Sequence, residues 1–209
     1  MIGILDYGSG NLFSISNALK KINLDQKYIQ NLDDFNTVNT VILPGVGSFK
    51  ECIEKLKRKN FYNYLKEYSN SGKKLVGICI GMQMLFENSE EDGFSEGLSL
   101  IKGNVKYLKN QVSNDNYRLS IPNMGWSKVY IRRNKKTDYF ENLKNNDFYF
   151  AHSLTCMLEE KEYELAFSKF GNLEFCSMIK KNQIYGIQFH PEKSGENGLK
   201  LLKSILLYD

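Results

Sequence analysis

Lys74-Leu75-Val76-Gly77-Ile78-Cys79-Ile80-Gly81-Met82-Gln83 is the stretch on which the fold turns. Lys74 to Ile78 is a short apolar run, the pattern of a strand buried on both faces. It predicts a strand that turns at Cys79 into a helix beginning near Met82. Glycines on either side, Gly77 and Gly81, let the chain bend sharply, so the residue at the apex stands exposed with a helix N-terminus behind it.

Working upstream, the same strand-then-helix alternation repeats. Ile2 to Asp6 reads as a first strand, followed by a helix with Leu12, Ile15, Ala18, Leu19 and Ile22 on one stripe. Thr40 to Leu43 reads as a buried strand ending at Pro44-Gly45, followed by a helix whose stripe is Phe49, Cys52, Ile53 and Leu56. Such alternation is the signature of βαβ units around a parallel sheet. Downstream of Ile101 the pattern changes to strands joined by short turns. These are Gly103 to Leu108, Ser127 to Arg132, Asp147 to Ala151, Glu162 to Phe170, Leu173 to Lys180 and Ile184 to Phe189. A closing helix carries Leu199, Leu202, Ile205 and Leu206. The expectation is an α/β protein of three layers, with a mostly parallel central sheet between helices and a β-rich C-terminal half. No repeat, linker or low-complexity segment divides the chain, so residues 1–209 are expected to form a single domain.

Composition narrows the function classes. A hydrophobic fraction of 42% with 25% charged residues argues for a packed core and against disorder. The net charge of +4 is spread along the chain and interrupted by Glu87, Glu90, Glu91, Asp92 and Glu96. A nucleic-acid footprint needs basic residues gathered on one face, so no nucleic-acid partner is expected. No basic leader and no long apolar stretch is present, and a cytoplasmic protein with no membrane partner is the expectation. Cys52, Cys79, Cys156 and Cys176 show no CxxC spacing and have only two histidines to join them. That argues against a zinc site and against a disulfide scaffold, so no metal and no cofactor is expected.

Cys79 is the candidate nucleophile. A helix N-terminus favours the thiolate, and the N–H of Ile80 is placed to help hold an oxyanion. A buried, inert thiol is the plainer alternative. A cysteine nucleophile needs a base. In Phe189-His190-Pro191-Glu192 the proline biases His190 to an extended conformation. Side chains two residues apart in an extended segment point the same way, roughly 6.5 to 7 Å apart at Cα. Glu192 then reaches one imidazole nitrogen while the other faces the thiol; a solvated surface turn fits the same residues. His152 is the rival base but has no carboxylate neighbour in sequence, and reads as structural or site-lining. Gly45, Val46 and Gly47, after a strand end, form a loop that lets backbone N–H groups turn toward an anion, or else a plain strand-to-helix turn. Gly8-Ser9-Gly10 after the first strand suggests a dinucleotide fingerprint. Its third glycine would fall at Phe13, and Gln30 stands where an acidic residue is needed, which disfavours that reading.

Taken in order, Asp6-Tyr7-Gly8-Ser9-Gly10-Asn11-Leu12, Pro44-Gly45-Val46-Gly47-Ser48-Phe49, Gly77-Ile78-Cys79-Ile80-Gly81-Met82-Gln83, Phe148-Tyr149-Phe150-Ala151-His152-Ser153 and Gln188-Phe189-His190-Pro191-Glu192-Lys193-Ser194 resemble the class I (triad) glutamine amidotransferases. Within that class, the opening segment and the trailing Glu192-Lys193-Ser194-Gly195 resemble the glutaminase subunits of imidazole glycerol phosphate synthases. The resemblance implies the class I glutamine amidotransferase fold, with Cys79 as nucleophile, His190 as acid/base and Glu192 as its orienter. It implies a glutamine pocket lined by Gln83 and the Gly45 to Gly47 loop, the loop giving an oxyanion N–H after a peptide flip. It further implies a heterodimer with a (β/α)₈-barrel cyclase that receives ammonia through its interior, with Asn11, Ser14, Trp126 and Lys193 at the interface. Tryptophan at position 126 is equally consistent with a core residue. The chain departs from the usual pattern at Asn123 and Ser127, within Pro122-Asn123-Met124-Gly125-Trp126-Ser127, and at Leu154, where a tyrosine is usual. A sugar-amidating partner is the second acceptor that the resemblance allows.

Overall fold

The computed structural model describes residues 1–111, 120–132, 138–141 and 143–207. Strands β1 (Ile2–Leu5), β2 (Gln26–Ile29), β3 (Thr40–Leu43) and β4 (Lys74–Ile78) alternate with helices α1 (Leu12–Lys21), α2 (Phe49–Arg58) and α3 (Phe61–Asn70). The turn after β4 opens α4 (Ile80–Gln83). Ten further strands follow: β5 (Phe86–Ser89), β6 (Ser95–Glu96), β7 (Ile101–Tyr107), β8 (Asn123–Lys128), β9 (Tyr130–Ile131), β10 (Asp147–His152), β11 (Leu154–Leu158), β12 (Glu164–Phe170), β13 (Leu173–Lys181) and β14 (Ile184–Ile187). Helix α5 (Gly195–Leu207) closes the chain.

Eight strands form the main sheet in the order β2-β1-β3-β4-β14-β13-β12-β9. Pairing is parallel from β2 across to β14 and antiparallel from β14 to β9. Strands β1, β3 and β14 are buried at every residue, as expected for a sheet covered on both faces. Because successive side chains point to opposite faces, the apolar runs supply two cores at once. Ile4, Ile42, Val76 and Ile78 share one core with Ile15 and Leu19 of α1 and Leu202 and Ile205 of α5. Leu5, Val41, Leu43 and Leu75 share the other with Phe49 and Ile53 of α2 and Leu65 of α3. Two smaller sheets, β10-β8 and β11-β7-β5-β6, complete the architecture.

Several expectations change in detail. The helix after Cys79 begins at Ile80 rather than near Met82, and it spans four residues only. The single strand expected over Ser127 to Arg132 is two: β8 pairs with β10, and after buried Val129 the chain crosses to the main sheet, where β9 pairs with β12. The strand expected from Gly103 starts at Ile101 and stops at Tyr107, because Leu108 enters a 3₁₀ turn. Leu199 is only partly buried, and Leu201 takes its place in the α5 stripe. Among the described residues no helix is long and apolar enough to cross a membrane. No cluster of three or more metal-ligating side chains occurs among them either, and all four cysteines are free and buried.

Candidate active site

Cys79 sits between β4 and α4 at φ 56° and ψ −112°, a backbone conformation that L residues rarely adopt. What forces it is the close approach of the turn to the neighbouring loop. A Cβ at Gly81 would collide with the Leu43 carbonyl oxygen, and one at Gly45 would lie 2.6 Å from the Cβ of Ile80. Only glycine allows the elbow and the Pro44 to Gly47 loop to nest this closely. The Cys79 N–H is tied to the Ile187 carbonyl at 2.7 Å, which fixes the elbow to β14.

The same strand, β14, leads directly into His190. His190 is extended (φ −101°, ψ 91°), as the following proline favours, but Glu192 belongs to the 3₁₀ turn Pro191–Lys193 rather than to an extended segment. The turn still brings the carboxylate under the ring, with His190 Nδ1 and Glu192 Oε1 2.8 Å apart and the Glu192 side chain 1% exposed. Cys79 is close enough to the ring to interact with it electrostatically. Burial alone would lower the His190 pKa. The interactions with Cys79 and Glu192 outweigh it and push the pKa up to about 10. A thiolate is the nucleophilic form of cysteine, and a protonated imidazole beside it is the partner that form needs.

His152 is the opposite case. Its Nδ1 lies 2.7 Å from the Leu154 carbonyl and must carry the proton, so its Nε2 accepts from Asn123 Nδ2 at 2.9 Å. Burial, only partly offset by the Leu154 carbonyl and reinforced by the nearby His190, lowers its pKa to about 4. With both nitrogens engaged and the ring neutral, His152 is a wall rather than a base.

Cys79 and His190 open into a cavity of about 260 Å³ that also contains Gly45, Val46, Gly47, Ile80, Gln83, His152 and Lys193. Every residue expected to line the substrate pocket is therefore present, with Val46 and Gly47 exposed and Gln83 buried. Ile80 begins α4, whose first N–H groups have no acceptor within the helix. Sequence reasoning missed Glu91, which read only as part of an acidic stretch. Its carboxylate is on the cavity wall and accepts from the Phe49 N–H at 2.5 Å. Burial raises its pKa, against the lowering effect of that N–H. Gln188, inside a quoted motif but given no role there, is fully buried and directs its amide at Cys79.

Tyr7 and the Gly8-Ser9-Gly10 segment brace this site. Tyr7 Oη donates to the Pro44 carbonyl at 2.7 Å and Ser9 Oγ to the Val46 carbonyl at 2.5 Å, which pins the glycine loop from below. Asn11 caps α1 by accepting from the Ser14 N–H at 3.1 Å and lines a narrow cleft beside Gly45 and Glu192. Ser14 and Lys193 border a neighbouring surface hollow together with exposed Phe13. Trp126 is 59% exposed, which removes the core reading, and its ring meets Tyr149 edge-on at 6.3 Å. The departing residues Asn123 and Leu154 are both taken up inside the protein by His152.

A thiol at a strand-to-helix elbow, an imidazole against it, a buried carboxylate behind and a glycine loop alongside are the parts that acyl transfer through a cysteine uses. Comparison with known proteins gives the same class. The family model for glutamine amidotransferase class-I matches residues 3–207, and the chain belongs to that family. It is 39% identical over 204 residues to the imidazole glycerol phosphate synthase subunit HisH of Geobacillus sp. (strain WCH70), covering 98% of this chain and 95% of that one. It is 36% identical over 212 residues to the imidazole glycerol phosphate synthase hisHF of Schizosaccharomyces pombe, covering 99% of this chain and 38% of that longer protein. The solved structure of PurLQS from Thermotoga maritima shares the fold, with a TM-score of 0.72 at 20% identity and coverage of 98% and 96% of the two chains.

Proposed function

We propose that the chain is the glutaminase subunit of an imidazole glycerol phosphate synthase, one glutaminase domain that works as a heterodimer in the cytoplasm. It hydrolyses glutamine to glutamate and ammonia and delivers the ammonia to a (β/α)₈-barrel cyclase that makes imidazole glycerol phosphate and AICAR in histidine biosynthesis. The observation that carries the chemistry is the continuous line Cys79, His190, Glu192 opening into a cavity large enough for a single amino acid. Similarity to the HisH subunits over nearly the full length supports the choice of acceptor. The fission-yeast protein, of which this chain matches one part, supports a partner acting on the same pathway. Asn123 and Leu154 are both buried, so their departure from the usual pattern gives no support of its own to a sugar-amidating partner.

The steps follow from the geometry. Glu91 faces the cavity as a carboxylate suited to the α-ammonium of glutamine. The Cys79 thiolate attacks the side-chain carbonyl, and the N–H groups of Ile80 and the Val46 to Gly47 loop receive the oxyanion. Protonated His190 gives its proton to the departing nitrogen, leaving a thioester on Cys79 and free ammonia. His190, now neutral and oriented by Glu192, takes a proton from water as the water attacks the thioester, and glutamate leaves. The test is Cys79→Ala in the complex with the barrel subunit. Ammonia release from glutamine should vanish while synthesis driven by added ammonium salt continues. Glutamine hydrolysis at the parent rate would refute the assignment of Cys79.

A further inference from the structure

His190 is not the only polar side chain against Cys79. Gln188, at the end of β14, is fully buried, and its Nε2 lies 3.8 Å from Cys79 Sγ, within hydrogen-bonding range for sulfur. Its Oε1 accepts from Gln83 Nε2 at 3.1 Å. That contact decides which end of the Gln188 amide faces the sulfur, because an amide whose oxygen is engaged by Gln83 must present its N–H₂ to Cys79. Gln83 is in turn held by the Leu154 carbonyl at 3.5 Å and lines the cavity. The buried Gln83 Oε1 has no partner among the described residues.

We infer that Gln188 is a further catalytic residue of this glutaminase, a hydrogen-bond donor to the Cys79 thiolate, oriented by Gln83 so that the glutamine cavity and the nucleophile are joined by one buried amide chain. The inference rests on the glutaminase reading above. Its physical basis is that the sulfur has different partners in its two states. As a thiol it donates to the Ala151 carbonyl at 3.8 Å. As a thiolate, with the proton passed to His190, it has no proton to donate and needs donors, and Gln188 supplies one in addition to His190. A buried amide that donates to the charged form lowers the cost of carrying that charge out of water. Gln83 borders the cavity and holds the Gln188 amide, so the Gln188 N–H stays on the sulfur during attack. The other titratable groups around Cys79 are His190 with Glu192 behind it, Tyr7 and Cys156, and, across the cavity, Glu91, His152 and Lys193. Substitution at 188 leaves all of them in place.

The experiment is the pH profile of Cys79 alkylation by iodoacetamide in the full chain, scored by peptide mass spectrometry so that Cys52, Cys156 and Cys176 are read separately. Gln188→Met keeps shape and removes the donor. Its profile should move upward by about one pH unit, making alkylation below the midpoint about tenfold slower than in the parent. In the complex with the barrel, the same variant should lower kcat with little change in KM, because Gln188 does not line the cavity. Gln83→Met, which frees the Gln188 amide to turn, should shift the profile in the same direction by less and should raise KM. A purely structural role would lower the melting temperature without moving the profile. Superimposed profiles for folded Gln188→Met and parent would overturn the inference. If Gln188→Met does not fold, an unmoved Cys79 profile in Gln83→Met overturns it instead. Alkylation needs no glutamine turnover, so a chain that shows the shift yet releases no ammonia when paired with the barrel would sink the glutaminase reading and leave the Gln188 contact standing.

Discussion

The two histidines of this chain sit in opposite protonation regimes: burial keeps His152 neutral, while the thiol and carboxylate beside His190 outweigh its burial. His190 faces a thiol and a carboxylate and stays protonated to about pH 10, whereas His152 faces a carbonyl and an amide and stays neutral to about pH 4. The kinetic expectation is that His190→Asn lowers glutamine hydrolysis by several orders of magnitude, as triad losses do, and His152→Asn by far less. Comparable losses would remove the distinction. The pH expectation concerns stability. The folded-state pKa of His152 is depressed, so its neutral form favours the fold above the unfolded value of 6.5. That contribution is lost as pH falls through about 4, a change on the order of 3 kcal/mol. For His190 the sign is reversed: its contribution is complete below pH 6.5 and fades as pH rises toward about 10. Urea unfolding of the parent should therefore weaken more steeply than that of His152→Gln between pH 6.5 and pH 4. A stability difference that stays flat across that window would mean that His152 is not held neutral. The proposed triad could be read from sequence because each member lies in a short local motif. Glu91 and Gln188 could not, because their roles come from a loop fold-back and a cross-strand contact rather than from neighbours in sequence.

At the scale of elements, the strands buried on both faces were the readable ones. β3 and β4 appear with the bounds that their apolar runs predict, and β1 differs only by leaving Asp6 outside. β2 was silent, since only Ile29 of its four residues is buried at the sheet edge. The strands β5, β6 and β11 were also missed: β5 and β6 are short and carry little apolar patterning, and β11 pairs with β7, distant in sequence. The elbow was read correctly as a turn with flanking glycines, but the reason for Gly81 is tertiary: its α-hydrogen faces the Leu43 carbonyl of β3. Gly81→Ala should therefore push β3 and α4 apart, costing about 1–3 kcal/mol as overpacking does. Moving the nucleophile by even an ångström should cost about a hundredfold in glutaminase rate. Thermal melting and steady-state assay together check this. A variant with parent melting temperature and parent rate would show that the elbow is not sterically fixed.

For the whole molecule the question is where the proposed barrel partner would dock. Ammonia at neutral pH is mostly protonated and non-nucleophilic, so on that proposal the product leaves the cavity by a covered route and the partner sits over the cavity mouth. Exposed apolar side chains lie on that cavity and in the surface hollows beside it. Met124, on the cavity wall, is 65% exposed, Phe13 is 72% exposed and Trp126 is 59% exposed. Lys193 lies 6.0 Å from the Tyr149 ring, which in turn meets Trp126, so cavity rim and tryptophan belong to one patch. Large exposed aromatic rings near the centre of an interface are the side chains that carry binding energy. Removing an exposed side chain costs the free protein little. Trp126→Ala should therefore leave the melting temperature of the isolated chain nearly unchanged and weaken binding to the barrel by roughly 2 kcal/mol, about thirtyfold. Calorimetric titration against the barrel subunit measures the second quantity and differential scanning calorimetry the first. Unchanged affinity with an unchanged melt would move the docking face away from Trp126. Lost glutamine-dependent synthesis with retained ammonium-dependent synthesis would place the tryptophan at the seal between the two subunits.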